Sequence, residues 1–430
     1  MTPWWPDSPR RALAMLAKPD ITEAGVLSAL GALGTTSPLP ARLSELIGKP
    51  VHDIDTPALV VDLDAMNRNL TRMADFAKKH GIRWRPHAKL HKSVILAKMQ
   101  MKAGAVGICV QKTAEAEIMV AGGVGNVYIS NEVIAPPKLA RVAALTQAVV
   151  PLGGKIAIAV DSIEGVSRLA QAMTEARISS KSAVPTVIDV FVEIDVGQGR
   201  CGVAPGAAAV MLALEIRKHP ALHFAGLQAY QGQAQHLRSA DERRQAIGKA
   251  VEAVVMTRQM IEAQGVKVGL VTGGGTGSLV LEAASGVYGE VQAGSFMFMD
   301  ADYAQNERHP AQPKFEHALF VKTQVISAHE THAVCDAGHK SHAIDSGLPW
   351  VHAFDSQSEL AYFNGGDEHG ILRPAAGSTR VPKLGRMLWL IPGHCDPTVN
   401  LHDVMIGVTG GLRHGTVQHI IHVDARGALT

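Results

Sequence analysis

AVGICVQKTAEAEIMVAGGVGNVYISNE, residues 105–132, decides the fold. A short apolar run, AVGICVQ, gives way to TAEAEIMVAGG, where apolar residues recur at helical spacing, and a second apolar run, VYISNE, follows. A strand, a helix and a strand in that order predict a parallel pair joined by a crossover. The alternation continues in both directions. RWRPHAK (83–89), IAIAVDS (156–162), VFVEIDVG (190–197), FAGLQAY (224–230), GLVTGGG (269–275) and EVQAGS (290–295) read as six further strands. Helical patterns separate them, among them SVILAKMQMKAG, SIEGVSRLAQAMTEA and the long stretch from Ser239 to Gln264. Eight units over roughly 220 residues fit a closed (β/α)8 TIM barrel, for which about 250 residues is typical. An open doubly wound sheet has the same periodicity and stays as an alternative.

Two regions fall outside this pattern. An earlier run, TPALVVDLD (56–64), would be a ninth strand, at about residues 57–63, for which an eight-stranded barrel has no place. After about residue 312 long helical patterns cease. HALFVKTQVISAH, THAVCDAG, RMLWLIPG and VMIGVTG are strand-like and joined by Gly-, Pro- and Asp-rich turns. The expected organisation is therefore an extension over 1–50, a barrel over 51–311 and a C-terminal mainly-β domain over 312–430, the last with the early strand as a member.

The chain has 430 residues, 47% hydrophobic and 19% charged, enough to bury a large core over more than one domain. A net charge of +2 gives no reason to expect a nucleic-acid or membrane-surface partner. The four cysteines, Cys109, Cys201, Cys335 and Cys395, form no CxxC pair. Together with the absence of a secretory leader or a membrane-length apolar run, they suggest a reduced, cytoplasmic protein. Against this near-neutral background RWRPHAKLHK, Arg83 to Lys92, carries six basic side chains, so its reason should be local.

A parallel barrel places its chemistry at the C-terminal ends of its strands. Those ends carry Lys89, Gln111, Asn131, Asp161, Arg200, Tyr230, the TGGGTGS loop and Gly294–Ser295. Polar residues follow strands in any protein, so the residue types must carry the reading. TGGGTGS (272–278) offers backbone amides and precedes a helix, which suits a phosphate. Its spacing matches neither a nucleoside-triphosphate nor a dinucleotide loop, so the phosphate belongs to something smaller. Lys89, among other cations at a strand end, is expected to have its ammonium form disfavoured, freeing the amine to form a Schiff base. In PGHCDPT, His394 and Asp396 are two apart. On a strand they would share one face and could ligate one ion, with Cys395 pointing away. The same residues read equally well as a turn.

RPHAKLHK, VEIDVGQGRCGV, GLQAYQG, VTGGGTGS and PGHCDPTVNLHD, in this order, resemble the D-threonine aldolase and eukaryotic-type D-serine dehydratase family, from about residue 52 to the C-terminus. The resemblance implies the alanine-racemase fold, fold type III of pyridoxal-phosphate enzymes, in which the first strand joins the C-terminal β domain. It implies Lys89 as the cofactor lysine, Arg200 near the phenolic oxygen, Tyr230 beside the pyridine ring and Gln111 on the cofactor side. Gly274, Gly275 and Thr276, with Gly294 and Ser295, match the phosphate site. His394 and Asp396 match the metal ligands, and His236 a candidate acid/base histidine. A homodimer acting on a small D-3-hydroxy amino acid is implied as well. In this family the aldolases place a carboxylate two residues after the metal histidine, and the D-serine dehydratases a cysteine. Asp396 therefore points to an aldolase using Mn or Mg in preference to Zn. His236 would take the hydroxyl proton, imidazole having a pKa of about 6.5. The rival readings are a dehydratase of D-serine or 3-hydroxy-D-aspartate, a non-catalytic cofactor carrier, and a sugar-phosphate aldolase using Lys89. His369 and His402 read as supporting or ordinary loop residues, and His329, His332, His339 and His342 as surface or structural.

Overall fold

The computed structural model describes residues 41–179, 185–354 and 358–430. Most of the sequence-predicted extension lies outside the described residues, which begin with a short helix, Ala41–Ser44. Strand β1 spans Ala58–Asp62. Eight parallel strands follow: β2 (Arg83–Trp84), β3 (Ile108–Val110), β4 (Asn126–Ile129), β5 (Lys155–Val160), β6 (Ile188–Glu193), β7 (Leu222–Gln228), β8 (Leu270–Gly273) and β9 (Glu290–Val291). Each falls on one of the eight apolar runs. Their spatial order is β2-β9-β8-β7-β6-β5-β4-β3. The two ends of that order meet: the Val106 and Cys109 amides donate to the Trp84 and Pro86 carbonyls at 3.0 and 2.9 Å, and His87 and Cys109 form a parallel bridge. The ring is closed, which rules out the open doubly wound sheet.

Local sequence accounts for the elements. β5 buries five of its six residues, as a strand covered on both faces must. The helix Leu63–His80 starts where the Asp62 carboxylate accepts the Asp64 and Ala65 amides, and it ends at Gly81, whose φ of 61° suits glycine.

The second sheet has nine strands. β1 is joined by β10 (Leu319–Ala328), β11 (Ala333–Cys335), β12 (Trp350–Val351), β13 (Leu360–Asn364), β14 (Gly370–Pro374), β15 (Met387–Ile391), β16 (Val404–Thr409) and β17 (Thr416–His422). β1 lies between β10, to which it is antiparallel, and β16, to which it is parallel. Its Leu59, Val60 and Val61 are buried, each worth about 1.5–3 kcal/mol by the usual transfer scale. One apolar core runs from the barrel into the β domain, where Leu390 of β15 and Cys395 and Val399 of a short helix belong to it. No helix among the described residues is long and apolar enough to cross a membrane.

Candidate active site

The basic decapeptide resolves into individual pairs. Arg83 and Arg85 each lie 3.0 Å from Glu290, and Lys92 lies 2.9 Å from Glu115. His91 is buried, which pushes its pKa down to about 4, and its Nε2 lies 3.2 Å from Gln100 Oε1. Lys89 and His87 face a cleft of about 760 Å³, mouth included, at the C-terminal end of the barrel. Lys89 sits in the turn Ala88–Leu90, where its amide donates to His87 Nδ1 at 3.3 Å. Its side chain is 45% exposed, into the cleft. The expected lowering of its pKa is corrected. Asp396 Oδ2 lies 3.3 Å from the ammonium and raises the pKa, against burial and Arg200.

Most of the other strand-end residues line the same cleft, but Asn131 and Asp161 do not: Asn131 Nδ2 donates to the Gln111 carbonyl at 3.1 Å, and Asp161 lies beside Glu132 and Cys201. Gln111 Nε2 lies 3.1 Å from His87 Nε2, and the wall continues through Arg200 and Tyr230. Burial raises the pKa of the Tyr230 phenol, while Lys89 and Arg200 act the other way. Gly275, Thr276, Gly294 and Ser295 line the cleft too. A Cβ on Gly275 would meet Gln235 Oε1 at 2.4 Å, and one on Gly294 the His87 carbonyl at 2.8 Å. Glycine at these positions keeps a backbone edge on the cleft, as a phosphate group requires. Gly274 does not line the cleft. It is the turn behind that wall, with φ +75° and Glu282 packed against it.

His394 and Asp396 reach the cleft from the β domain, and the expectation that they lie on a strand is also corrected. His394 is the extended residue capping a short helix, Cys395–Val399, and Asp396 lies in its first turn. Pro397 is tolerated in that first turn, where its missing N–H would have no intrahelical partner. The pair still converges, with His394 Nε2 4.0 Å from Asp396 Oδ2. Cys395 points away as expected, buried, with its thiol 3.7 Å from the Met299 carbonyl. His394 Nδ1 lies 2.7 Å from Asp345 Oδ2, which leaves Nε2 toward Asp396. Burial disfavours the charged imidazole, but Asp396, Asp345 and Asp300 outweigh it and the pKa is raised. Asp396 Oδ1 is buried without a hydrogen-bond donor. A carboxylate that keeps one oxygen in that condition while its other oxygen lies 4.0 Å from an imidazole nitrogen fits a divalent cation.

His236, at the end of the turn Gln233–His236, faces the same cleft. Sequence reading missed its partner Asp302, the acids Asp300 and Asp345 that act on His394, and the cleft-lining Tyr303, Ser130, Gln228 and Gln292. It also missed that Glu132, Asp161 and Cys201 bring three ligand-type atoms within 4.8 Å of one another, a group separate from His394 and Asp396. The remaining histidines lie off the cleft. His402 Nε2 donates to the Ser341 carbonyl, His342 is buried against Tyr362, His329 stacks on His332, His339 pairs with Asp367, and His369 is exposed.

This combination of a closed barrel, a β domain and one cleft between them is the architecture of the alanine-racemase-type enzymes. The chain matches the model of the alanine racemase N-terminal domain over residues 61–302, and that of a putative serine dehydratase domain over 318–408. It is 41% identical to a 3-hydroxy-D-aspartate aldolase of Paracoccus denitrificans over 388 residues, 89% of this chain and 95% of that one. It is also 41% identical to a D-threonine aldolase of an Arthrobacter species over 395 residues, 92% and 97% of the two chains. The crystal structure of D-threonine aldolase from Filomicrobium marinum superposes with a TM-score of 0.83 at 44% identity, covering 89% of this chain and 99% of that one. The chain therefore belongs to the D-threonine aldolase–D-serine dehydratase family, and it is a lyase.

Proposed function

We propose that the protein is a pyridoxal-phosphate- and divalent-metal-dependent aldolase that cleaves the Cα–Cβ bond of D-3-hydroxy amino acids to give glycine and an aldehyde. The observation that carries this reading is the carboxylate of Asp396, with one oxygen buried and unpartnered, placed beside His394 in the cleft that also holds Lys89. Aldolase relatives that name two substrates stand at equal identity, so the reading is for the substrate class.

When bound, pyridoxal phosphate supplies an electron sink and the metal a Lewis acid for the substrate hydroxyl. Lys89 is the amine that would hold the cofactor. Gly275, Thr276, Gly294 and Ser295 would receive its phosphate, while Arg200 and Tyr230 would flank the ring. His394 and Asp396 would hold the ion. A single His and a carboxylate favour Mn or Mg over Zn and leave most of the coordination shell to water and substrate. His236 would take the proton from the hydroxyl as Cα–Cβ breaks. The reading includes a homodimer, the assembly its family resemblance implies, and unpaired cysteines in keeping with a reducing cytoplasm.

The decisive experiment is product identification from D-threonine and from 3-hydroxy-D-aspartate, with and without chelator. Glycine with acetaldehyde or glyoxylate, lost on chelation and restored better by Mn than by Zn, is the expected result. Ammonia with a 2-oxo acid as the main products overturns it in favour of a dehydratase. Borohydride reduction should trap the cofactor on Lys89, and trapping on any other lysine removes that assignment. An active monomer on dilution in sedimentation removes the dimer.

A further inference from the structure

We propose that Asp302 is a positioning residue that holds His236 in the tautomer whose unprotonated Nε2 faces the cleft. This inference rests on the reading of His236 as the base. His236 Nδ1 lies 2.6 Å from Asp302 Oδ2, with side-chain exposures of 50% for the histidine and 6% for the aspartate. The other aspartate oxygen, Oδ1, accepts from Arg238 Nη2. Arg238 Nη1 donates to the Asp302 carbonyl and to Asn306 Oδ1, each at 2.7 Å. With both carboxylate oxygens engaged, Asp302 offers His236 only an acceptor. Nδ1 then carries the hydrogen, and Nε2 presents a lone pair.

A His–Asp contact alone proves little, since His223 and Asp189 make one at 2.7 Å with side chains 64% and 32% exposed. The His236 pair differs in two ways. Its carboxylate is buried and clamped. Its carboxylate also belongs to a segment tied to the candidate metal site: the Ala301 and Asp302 amides donate to the Pro392 and Gly393 carbonyls at 2.9 and 3.2 Å. The Asp300 carboxylate accepts the Cys395 amide at 3.1 Å. These contacts fall just before and between His394 and Asp396. One short segment, Asp300–Asp302, thus sets the base on one side and the ligand pair on the other, and Asp302 itself does not line the cleft.

Asp302→Asn tests the idea in the holoenzyme. Arg238 demands an oxygen, so the new amide should turn its NH2 toward Nδ1 and force the proton onto Nε2. The expected result is a fall in kcat of about 10²-fold or more with KM within about threefold of wild type. Cofactor absorbance and metal content should not change. Adding Arg238→Leu frees the amide to turn its oxygen back to His236, so the double variant should regain about tenfold in kcat over Asp302→Asn. A purely structural role gives the opposite, a double variant slower than the single. Near-normal kcat in Asp302→Asn, or loss of cofactor and metal with it, overturns the proposal. Nitrogen-15 NMR of wild-type imidazoles, with the His236 signal identified by its loss in His236→Gln, reads the tautomer without relying on folding of the variants. A proton on Nε2 overturns the proposal. If His236→Gln is inactive while Asp302→Asn is normal, the proposal fails and the base assignment stands. A fully active His236→Gln overturns both.

Discussion

Two histidines face the cleft from opposite sides, each gripped at Nδ1 by a carboxylate. On the barrel side, His236 is 50% exposed and its Asp302 only 6%. On the β-domain side the burial is reversed, His394 being 24% exposed and its Asp345 52%. Asp302 is clamped by Arg238, whereas the side-chain neighbour of Asp345 is the Ser346 hydroxyl, 3.2 Å away. On the proposed reading, the same pairing would do two jobs. A buried, fixed carboxylate acts in a low dielectric and dictates one tautomer. An exposed one would steer a ring toward the proposed ligand position while leaving it free to adjust to an ion.

The contrast breaks most visibly at the rings themselves. His394→Ala should lower kcat by about 10³-fold or more, because Lewis-acid stabilisation is worth several kcal/mol. Metal analysis should show the ion lost, and an ion retained at full stoichiometry would show that the two sides do not divide the work in this way. Asp345→Asn should weaken metal binding by about 10–100-fold in a metal titration. At saturating metal its kcat should return to the wild-type value, unlike that of Asp302→Asn. A kcat deficit persisting at saturation would make the two carboxylates equivalent. In urea unfolding, Arg238→Leu should cost about 2 kcal/mol, less than for a fully buried pair because Arg238 is itself partly open. Asp345→Ala, on the exposed side, should cost under about 1 kcal/mol in the same assay. Equal costs would mean that burial is not what separates the two pairs.

Much of this was legible in the residue pattern, and what was not has a common cause. The eight barrel strands announce themselves because each is a short apolar run followed by a polar or glycine end, and those ends named Lys89, Gln111, Arg200 and Tyr230. The early strand TPALVVDLD was visible as a surplus, and β1 indeed lies between β10 and β16. The partners of the proposed base and metal ligand were hidden. Asp302 lies 66 residues from His236, and Asp345 lies 49 from His394. No local period or motif encodes such a pairing. The effect of Asp396 on Lys89 was missed for the same reason: neighbouring cations are visible in RWRPHAKLHK, whereas an anion arriving from another domain is not. The strand assumed for His394 and Asp396 was a different kind of miss. The i, i+2 spacing suits a strand, but it also lets an N-cap residue and the second helical residue converge, as His394 and Asp396 do.

The placement of β1 also sets a timetable for synthesis. Ala58 is paired with Lys322, and Val60 with Ile406. At about 5–20 residues per second, the roughly 260 residues between Ala58 and Lys322 keep β1 waiting about 13–50 s before its first neighbour is translated. Throughout that interval an apolar strand stands unpaired while the barrel forms behind it. A nascent chain stalled between the barrel and β10 should accordingly be held by a chaperone at LVV (59–61), and release should follow once β10 has emerged.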